Sequence, residues 1–156
     1  MERILVVSDT HGKTDNVIRL LENVPFTKVF HLGDLVRDAI LLQKAFPDIE
    51  FHYVRGNNDP YGAQDEKTVK IGDNKMLLCH GHNYSVSSSL LRLSLRAKEA
   101  GANLALFGHT HQKLKEECDG VTLFNPGSTS RPRGGKASAG IIEMDSGYFG
   151  IAHYDF

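Results

Sequence analysis

Four short stretches of the chain carry apolar residues on neighbouring and not merely alternate positions, within residues 3–8, 28–32, 51–54 and 104–107. Ile4-Leu5-Val6-Val7 in the first is typical of them. A brief continuous apolar run rich in β-branched side chains reads as a strand buried on both faces. Between the first three runs the spacing turns helical. From about Asp15, Val17, Leu20, Leu21 and Val24 fall on one face, Thr14 or Asp15 is placed to cap, and Pro25 closes the helix. A second helix is expected over residues 38–46, with Ile40, Leu41, Ala45 and Phe46 as its inner face and Pro47 as its stop. Strand, helix and strand in alternation predict a parallel sheet with right-handed crossovers.

Farther along, residues 68–71 and 75–79 form a predicted hairpin around Gly72-Asp73-Asn74. Ser87-Ser88-Ser89 supplies a cap for a helix reaching about Ala100. Its apolar side is Leu90, Leu91, Leu93, Ala97 and Ala100, and Gly101 is the C-terminal cap. After the run at 104–107 the pattern becomes antiparallel. Residues 114–117 pair with 121–124 across Asp119-Gly120, and 139–144 pair with 148–154 across Asp145-Ser146-Gly147. No linker or repeat interrupts the chain, so 1–156 reads as one domain. The expected fold is α/β (α+β): two packed mixed sheets with helices outside.

Composition narrows the function classes. Hydrophobic residues make up 40% and charged residues 24%, ordinary values for a globular protein. Lys plus Arg is 18 against Asp plus Glu 19, a net charge of −1 that argues against a broad face for extended nucleic acid. No apolar run is long enough to span a membrane. The opening residues lead straight into a strand, with no signal-peptide pattern, and Cys79 and Cys118 are the two cysteines. The cytoplasm is the expected compartment. Cys79 lies in an apolar run and reads as a buried structural thiol.

Histidine changes the picture. Of eight, five (His11, His80, His82, His109 and His111) stand just beyond apolar runs. Five strand ends carry possible metal donors: Asp9 with His11, Asp34, Asn57, His80 with His82, and His109 with His111. Oxygen and nitrogen donors of this kind suit manganese, iron, nickel, zinc or magnesium. They are too many for one tetrahedral ion and enough for two if a carboxylate bridges. Asp34, alone between the sets, is the natural bridge. Competing chemistries find less support: there is no phosphate-binding GxxxxGK[ST] loop and no nucleophile elbow around Ser8, Ser85 or Ser128. His31, His52 and His153 lie inside strand patterns and read as structural.

Asp9-x-His11, Gly33-Asp34, Gly56-Asn57-x-Asp59, His80-Gly81-His82 and Gly108-His109-x-His111 together resemble the signature of the calcineurin-like metallophosphoesterases. The short length and the Asn125-Pro126-Gly127-Ser128 loop resemble the small YfcE-type phosphodiesterase branch. The resemblance spans essentially the whole chain. It implies a four-layer sandwich and two divalent ions, with manganese expected. It places one ion on Asp9, His11 and His111, the other on Asn57, His80 and His109, and Asp34 between them. A bridging hydroxide would then attack a small phosphodiester in line.

One departure bears on mechanism. Many members of the family carry histidine directly after the motif asparagine, where this chain has Asn58. An amide donates a hydrogen bond but delivers no proton at neutral pH. His82 becomes the candidate general acid, its alternative being to orient a ligand. Asp59 is either a carboxylate that orients a ligand histidine or a turn residue before Pro60. Arg131 and Arg133 either reach the substrate phosphate or sit in a solvated loop.

Two other classes compete: a protein-binding module on the same scaffold, like the retromer subunit Vps29, and a phosphomonoesterase. All seven metal donors are present, which favours the enzyme over the module. Apolar residues on the terminal strands are explained equally by the core and by a homo-oligomeric contact.

Overall fold

The structure, a computed structural model, describes residues 1–156. Its ten strands form two five-stranded sheets. In the first, β1 (Glu2–Val7) is central and runs parallel to β2 (Lys28–His31), which runs parallel to β3 (Glu50–Tyr53). On the other side of β1 lie the antiparallel β9 (Ser138–Asp145) and β10 (Tyr148–Asp155). The second sheet has the order β4-β5-β6-β8-β7. It contains β4 (Glu66–Ile71), β5 (Asn74–Cys79), β6 (Leu104–Leu106), β7 (Lys113–Cys118) and β8 (Val121–Pro126). The hairpins β4–β5 and β7–β8 are antiparallel as the turns predict. However, β8 pairs parallel with β6, so β7 is left at the edge and the wholly antiparallel tail read from the sequence is corrected there.

Alternation within each strand builds the layers. Ile4 and Val6 of β1 point between the sheets, where they meet Phe30, Met76, Leu78, Leu106, Phe124 and Ile142 from both sheets. Leu5 and Val7 point the other way, against Val17, Leu20 and Leu21 of α1 (Asp15–Asn23) and Leu42 of α2 (Val36–Ala45). On the far side Leu77, Cys79 and Ala105 pack on Leu93 and Ala97 of α3 (Leu91–Glu99). Because the central strands are covered on both faces, their buried stretches are apolar on consecutive positions, as in Ile4-Leu5-Val6-Val7. The result is the helix–sheet–sheet–helix stack that the sequence pattern implies.

Two helix faces differ from their sequence reading. In α2 the buried positions are Val36, Asp38, Ala39 and Leu42; Ile40, Leu41 and Ala45 are exposed, and only Phe46 of the expected set packs inward. The helix begins two residues earlier than expected, and buried Asp38 is tied to the loop after β1, which rotates the apolar face. In α3, Leu91 is 60% exposed while Leu93, Ser94 and Ala97 are buried. Ser89 does accept the Leu91 N–H at 3.1 Å, and Gly101 closes the helix at φ 71°.

Candidate metal centre

Five loops follow the parallel strands β1, β2, β3, β5 and β6, and they converge at one end of the sandwich. Two glycines show how tight the convergence is. A Cβ on Gly108 would lie 2.0 Å from Ser8 Oγ and 2.7 Å from Asp9 Oδ2. One on Gly56 would lie 2.1 Å from Asp34 Oδ1. No side chain fits in either place, which accounts physically for the glycine ahead of Asn57 and of His109.

Five donor residues meet at the centre. Asp9 Oδ1 lies 3.8, 3.6 and 3.3 Å from the Nε2 atoms of His11, His80 and His111. Asp34 Oδ2 lies 3.8 Å from His11 Nε2 and 3.5 Å from His80 Nε2, between the two sets. Asp9, His11 and His111 form one compact donor group; Asp9, Asp34 and His80 form a second. Asp9 is therefore common to both, in addition to the position Asp34 holds between them. Asn57 and His109 stand at the rim, Asn57 Oδ1 facing His109 Nδ1 at 3.1 Å, with the His109 ring 5.2 Å from that of His80.

The orientation of the donors is set by their outer atoms. His80 Nδ1 donates to the Leu32 carbonyl at 2.7 Å, joining the two sheets, and His111 Nδ1 donates to the Arg131 carbonyl at 2.7 Å. Each histidine thus turns an unprotonated-capable Nε2 inward, the arrangement that fixes a metal-ligating imidazole. Asp9 Oδ2 accepts from Ser8 Oγ at 2.7 Å and from the His109 N–H at 3.1 Å, leaving Oδ1 free to face the centre. Buried polar groups are nearly always hydrogen-bonded. Here Asp9 Oδ1, His11 Nε2 and His80 Nε2 are buried without a partner, and both nitrogens lie within 3.8 Å of that Asp9 oxygen. Such a set fits a divalent cation.

Backbone conformation points the same way. Asp9, His11, Asp34, His109 and His111 all have φ between 46° and 72°. For a residue with a Cβ this left-handed region costs about 1 kcal/mol or more, and such outliers gather at functional sites.

Electrostatics follow from the crowding. Burial would raise the Asp9 carboxyl, but His111 and His80 outweigh it and hold the pKa below the usual range. Asp34 is likewise lowered against its burial, chiefly by His80 and Asn58. His80 is raised by Asp34 and Asp9 in spite of strong desolvation, and His111 is raised first by Asp9. His11, His82 and His109 are lowered, in each case mainly by burial.

The remaining residues singled out from the sequence surround this centre. Asn58 sits on Asp34, its N–H reaching Oδ1 at 3.0 Å and its side-chain amide Oδ2 at 2.7 Å. Asp59 touches no histidine: its carboxylate accepts the N–H groups of Asp34, Val36 and Gly56 at 2.9, 2.8 and 2.8 Å. His82 lies beside His80 and His109, with ring centroids 5.5 and 6.3 Å away and a buried, unpartnered Nδ1. Arg131 and Arg133 are exposed, and their backbones hold His111.

Four supporting residues carry no signal of their own in the sequence. Asp38 accepts from Thr10 Oγ1 at 2.6 Å and from the Gly12 N–H at 2.8 Å. Asn125 donates to the Gly108 carbonyl at 3.0 Å, Ser128 donates to the Asp9 carbonyl at 2.8 Å, and Ser130 donates to the Thr10 carbonyl at 2.7 Å. The Asn-Pro-Gly-Ser loop therefore braces the loops that carry Asp9, His11 and His109. Only its resemblance to a known motif marked it beforehand.

Comparison with known proteins identifies the family. Residues 2–147 match the model of the calcineurin-like phosphoesterase superfamily domain. The chain is 31% identical to the probable metallophosphoesterase YsnB of Bacillus subtilis, over 97% of this chain and 90% of that one. It is 27% identical to a phosphodiesterase of Methanocaldococcus jannaschii, over 92% and 93%. Among solved structures, a protein of Streptococcus pneumoniae described as a predicted phosphoesterase superposes with a TM-score of 0.83 at 28% identity, over 99% and 89% of the two chains. Vps29 of Entamoeba histolytica in complex with zinc superposes at 0.77 over 98% of each chain, but its 21% identity establishes the shared fold alone. The chain is a member of the calcineurin-like phosphoesterase superfamily.

Proposed function

We propose that the protein is a metal-dependent phosphodiesterase that hydrolyses a small phosphodiester. The observation that carries the reading is the set of buried, unpartnered donor atoms on Asp9, His11 and His80, both histidine nitrogens lying within 3.8 Å of Asp9 Oδ1. Asp9, His11 and His111 would hold one divalent ion, and Asn57, His80 and His109 the other, with Asp34 shared between them. Two such ions, when bound, supply a hydroxide nucleophile near neutral pH and offset charge on the phosphoryl oxygens. Manganese is the ion we expect, and nickel, iron, zinc and magnesium fit the same donors.

The chain's own residues set the substrate preference. Asn58 spends its amide on Asp34 and carries no transferable proton. His82 is the nearby titratable group, but burial and the neighbouring His80 and His109 push its pKa down. That direction disfavours the protonated ring, so leaving groups that depart without a proton are favoured. A phosphodiester with an aryloxide leaving group of low basicity meets that condition. Supporting the diester reading is the relative named a phosphodiesterase, matched along nearly its whole length. Asp59 positions the loop that carries Asp34 and takes no part in proton transfer.

The test is hydrolysis of bis(p-nitrophenyl) phosphate and of p-nitrophenyl phosphate, first with chelator and then with manganese. Restored turnover that favours the diester supports the proposal. Absence of turnover in folded, metal-loaded protein overturns it in favour of a protein-binding module on this scaffold.

A further inference from the structure

Beside the centre, between the start of α2 and the connection from β3 to β4, lies a cleft of about 570 Å³. Leu35, Ile40, Tyr53, Pro60 and Tyr61 line it, and its inner wall is Asn58. Asn58 also bonds Asp34 Oδ2 at 2.7 Å, so one amide side chain separates the cleft from the carboxylate that lies between His11 and His80. Volumes of this order hold a small organic ligand. Two other hollows of comparable size do not adjoin the centre. One lies at the opposite end of the sandwich, by Met1, Asn74 and Asp145, and the other against the outer strand β10.

The lining has a specific character. Tyr61 is 92% exposed, an unusual state for a large aromatic ring, and the Arg55 guanidinium lies 4.8 Å from its ring centroid. Arg55 is itself held by Asp65, with Nε to Oδ1 at 2.8 Å, so the pair forms a braced plate at the mouth of the cleft. Ile40 and Leu35 supply an apolar side. An aromatic plate beside aliphatic walls favours a flat aromatic ring, through offset stacking and removal of apolar surface from water. This also accounts for the exposed Ile40, which the helix pattern assigns to the core.

We propose that this cleft receives a planar aromatic substituent carried by the substrate's phosphoryl group, with Tyr61 and Ile40 as specificity-determining residues. The inference rests on the phosphodiesterase reading, since it takes the phosphoryl group to sit at Asp34. Calorimetric titration of the manganese-loaded protein with methylphosphonate and benzylphosphonate tests it, because the two ligands differ only in the ring. The wild-type protein is expected to bind benzylphosphonate about five- to tenfold more tightly, corresponding to a stacking gain of about 1 kcal/mol. In Tyr61→Ala that preference should fall close to one, with methylphosphonate affinity unchanged within about twofold. Ile40→Ser should reduce the preference in part. Equal binding of the two ligands by wild type, or a preference that survives both substitutions, overturns the cleft assignment alone. Failure of methylphosphonate to bind at all overturns the phosphodiesterase reading and the cleft with it.

Discussion

Asn58 grips Asp34 from two sides, its backbone N–H on Oδ1 at 3.0 Å and its side-chain amide on Oδ2 at 2.7 Å. The grip orients a carboxylate that lies 3.5 Å from His80 and 3.8 Å from His11. Groups that orient metal-binding side chains typically contribute about 10- to 100-fold to affinity. Asn58→Ala should therefore weaken manganese binding about tenfold or more, as measured by calorimetry on chelator-stripped protein. Asn58→His should raise turnover of diphenyl phosphate relative to bis(p-nitrophenyl) phosphate, because an imidazole can protonate the poorer, more basic phenolate leaving group. An unchanged affinity in Asn58→Ala would remove the orienting role.

Asp59 has a structural task that its place before Pro60 conceals. Three buried N–H groups, of Asp34, Val36 and Gly56, depend on its carboxylate. Asp59→Ala leaves all three unsatisfied, at about 1–3 kcal/mol each. Urea unfolding of the metal-free protein should show a loss of at least about 3 kcal/mol. A loss below about 1 kcal/mol would show that the loop re-pairs those groups elsewhere.

His31 predicts a pH dependence that does not involve the metal donors. It is fully buried, its Nδ1 accepting the Gly33 N–H at 3.1 Å and its Nε2 facing Thr10 Oγ1 at 3.0 Å. Because Thr10 donates its own proton to Asp38, the His31 ring must donate to Thr10, so both nitrogens are committed in the neutral form. Burial pushes its pKa down to about 4 from 6.5. A depressed folded-state pKa means that the unfolded chain binds the proton first as pH falls. The contribution of neutral His31 is thus fully present above pH 6.5 and is lost between 6.5 and about 4, by about 3 kcal/mol in all. Urea unfolding across that range should be steeper in pH for wild type than for His31→Asn. Parallel pH profiles for the two proteins would contradict the assignment.

The sandwich was legible in the sequence because strands covered on both faces have to be continuously apolar, and the metal donors stood out because they follow those runs directly. Asp9, His11, Asp34, His80 and His111 could be picked out for that reason. The inner face of α2 could not. Its buried Asp38 reads as a solvent position until Thr10 and Gly12, far away in the chain, are seen to bond it. The same holds for Asn125 and Ser128, whose partners are the backbone carbonyls of Gly108 and Asp9. The parallel pairing of β8 with β6 was also hidden, since β7 intervenes in sequence but not in the sheet.

His82 separates two roles by leaving group. As an orienting neighbour of His80 and His109, its replacement by alanine should lower turnover only modestly, to a similar degree for good and poor leaving groups. As a proton donor, His82→Ala should spare bis(p-nitrophenyl) phosphate and lose about 100-fold or more on a dialkyl diester. Its depressed pKa favours the first outcome, with the leaving-group dependence of kcat as the readout.

The most direct measurement counts bound manganese while following turnover of bis(p-nitrophenyl) phosphate as the metal is returned to stripped protein. If Asp34 is shared by two ions, wild type should bind two manganese ions per chain, with activity rising as the second enters. Asp34→Asn should lose the second ion and nearly all activity while remaining folded. Full activity with a single ion, or an Asp34→Asn protein that still binds two and turns over normally, would contradict the two-ion account.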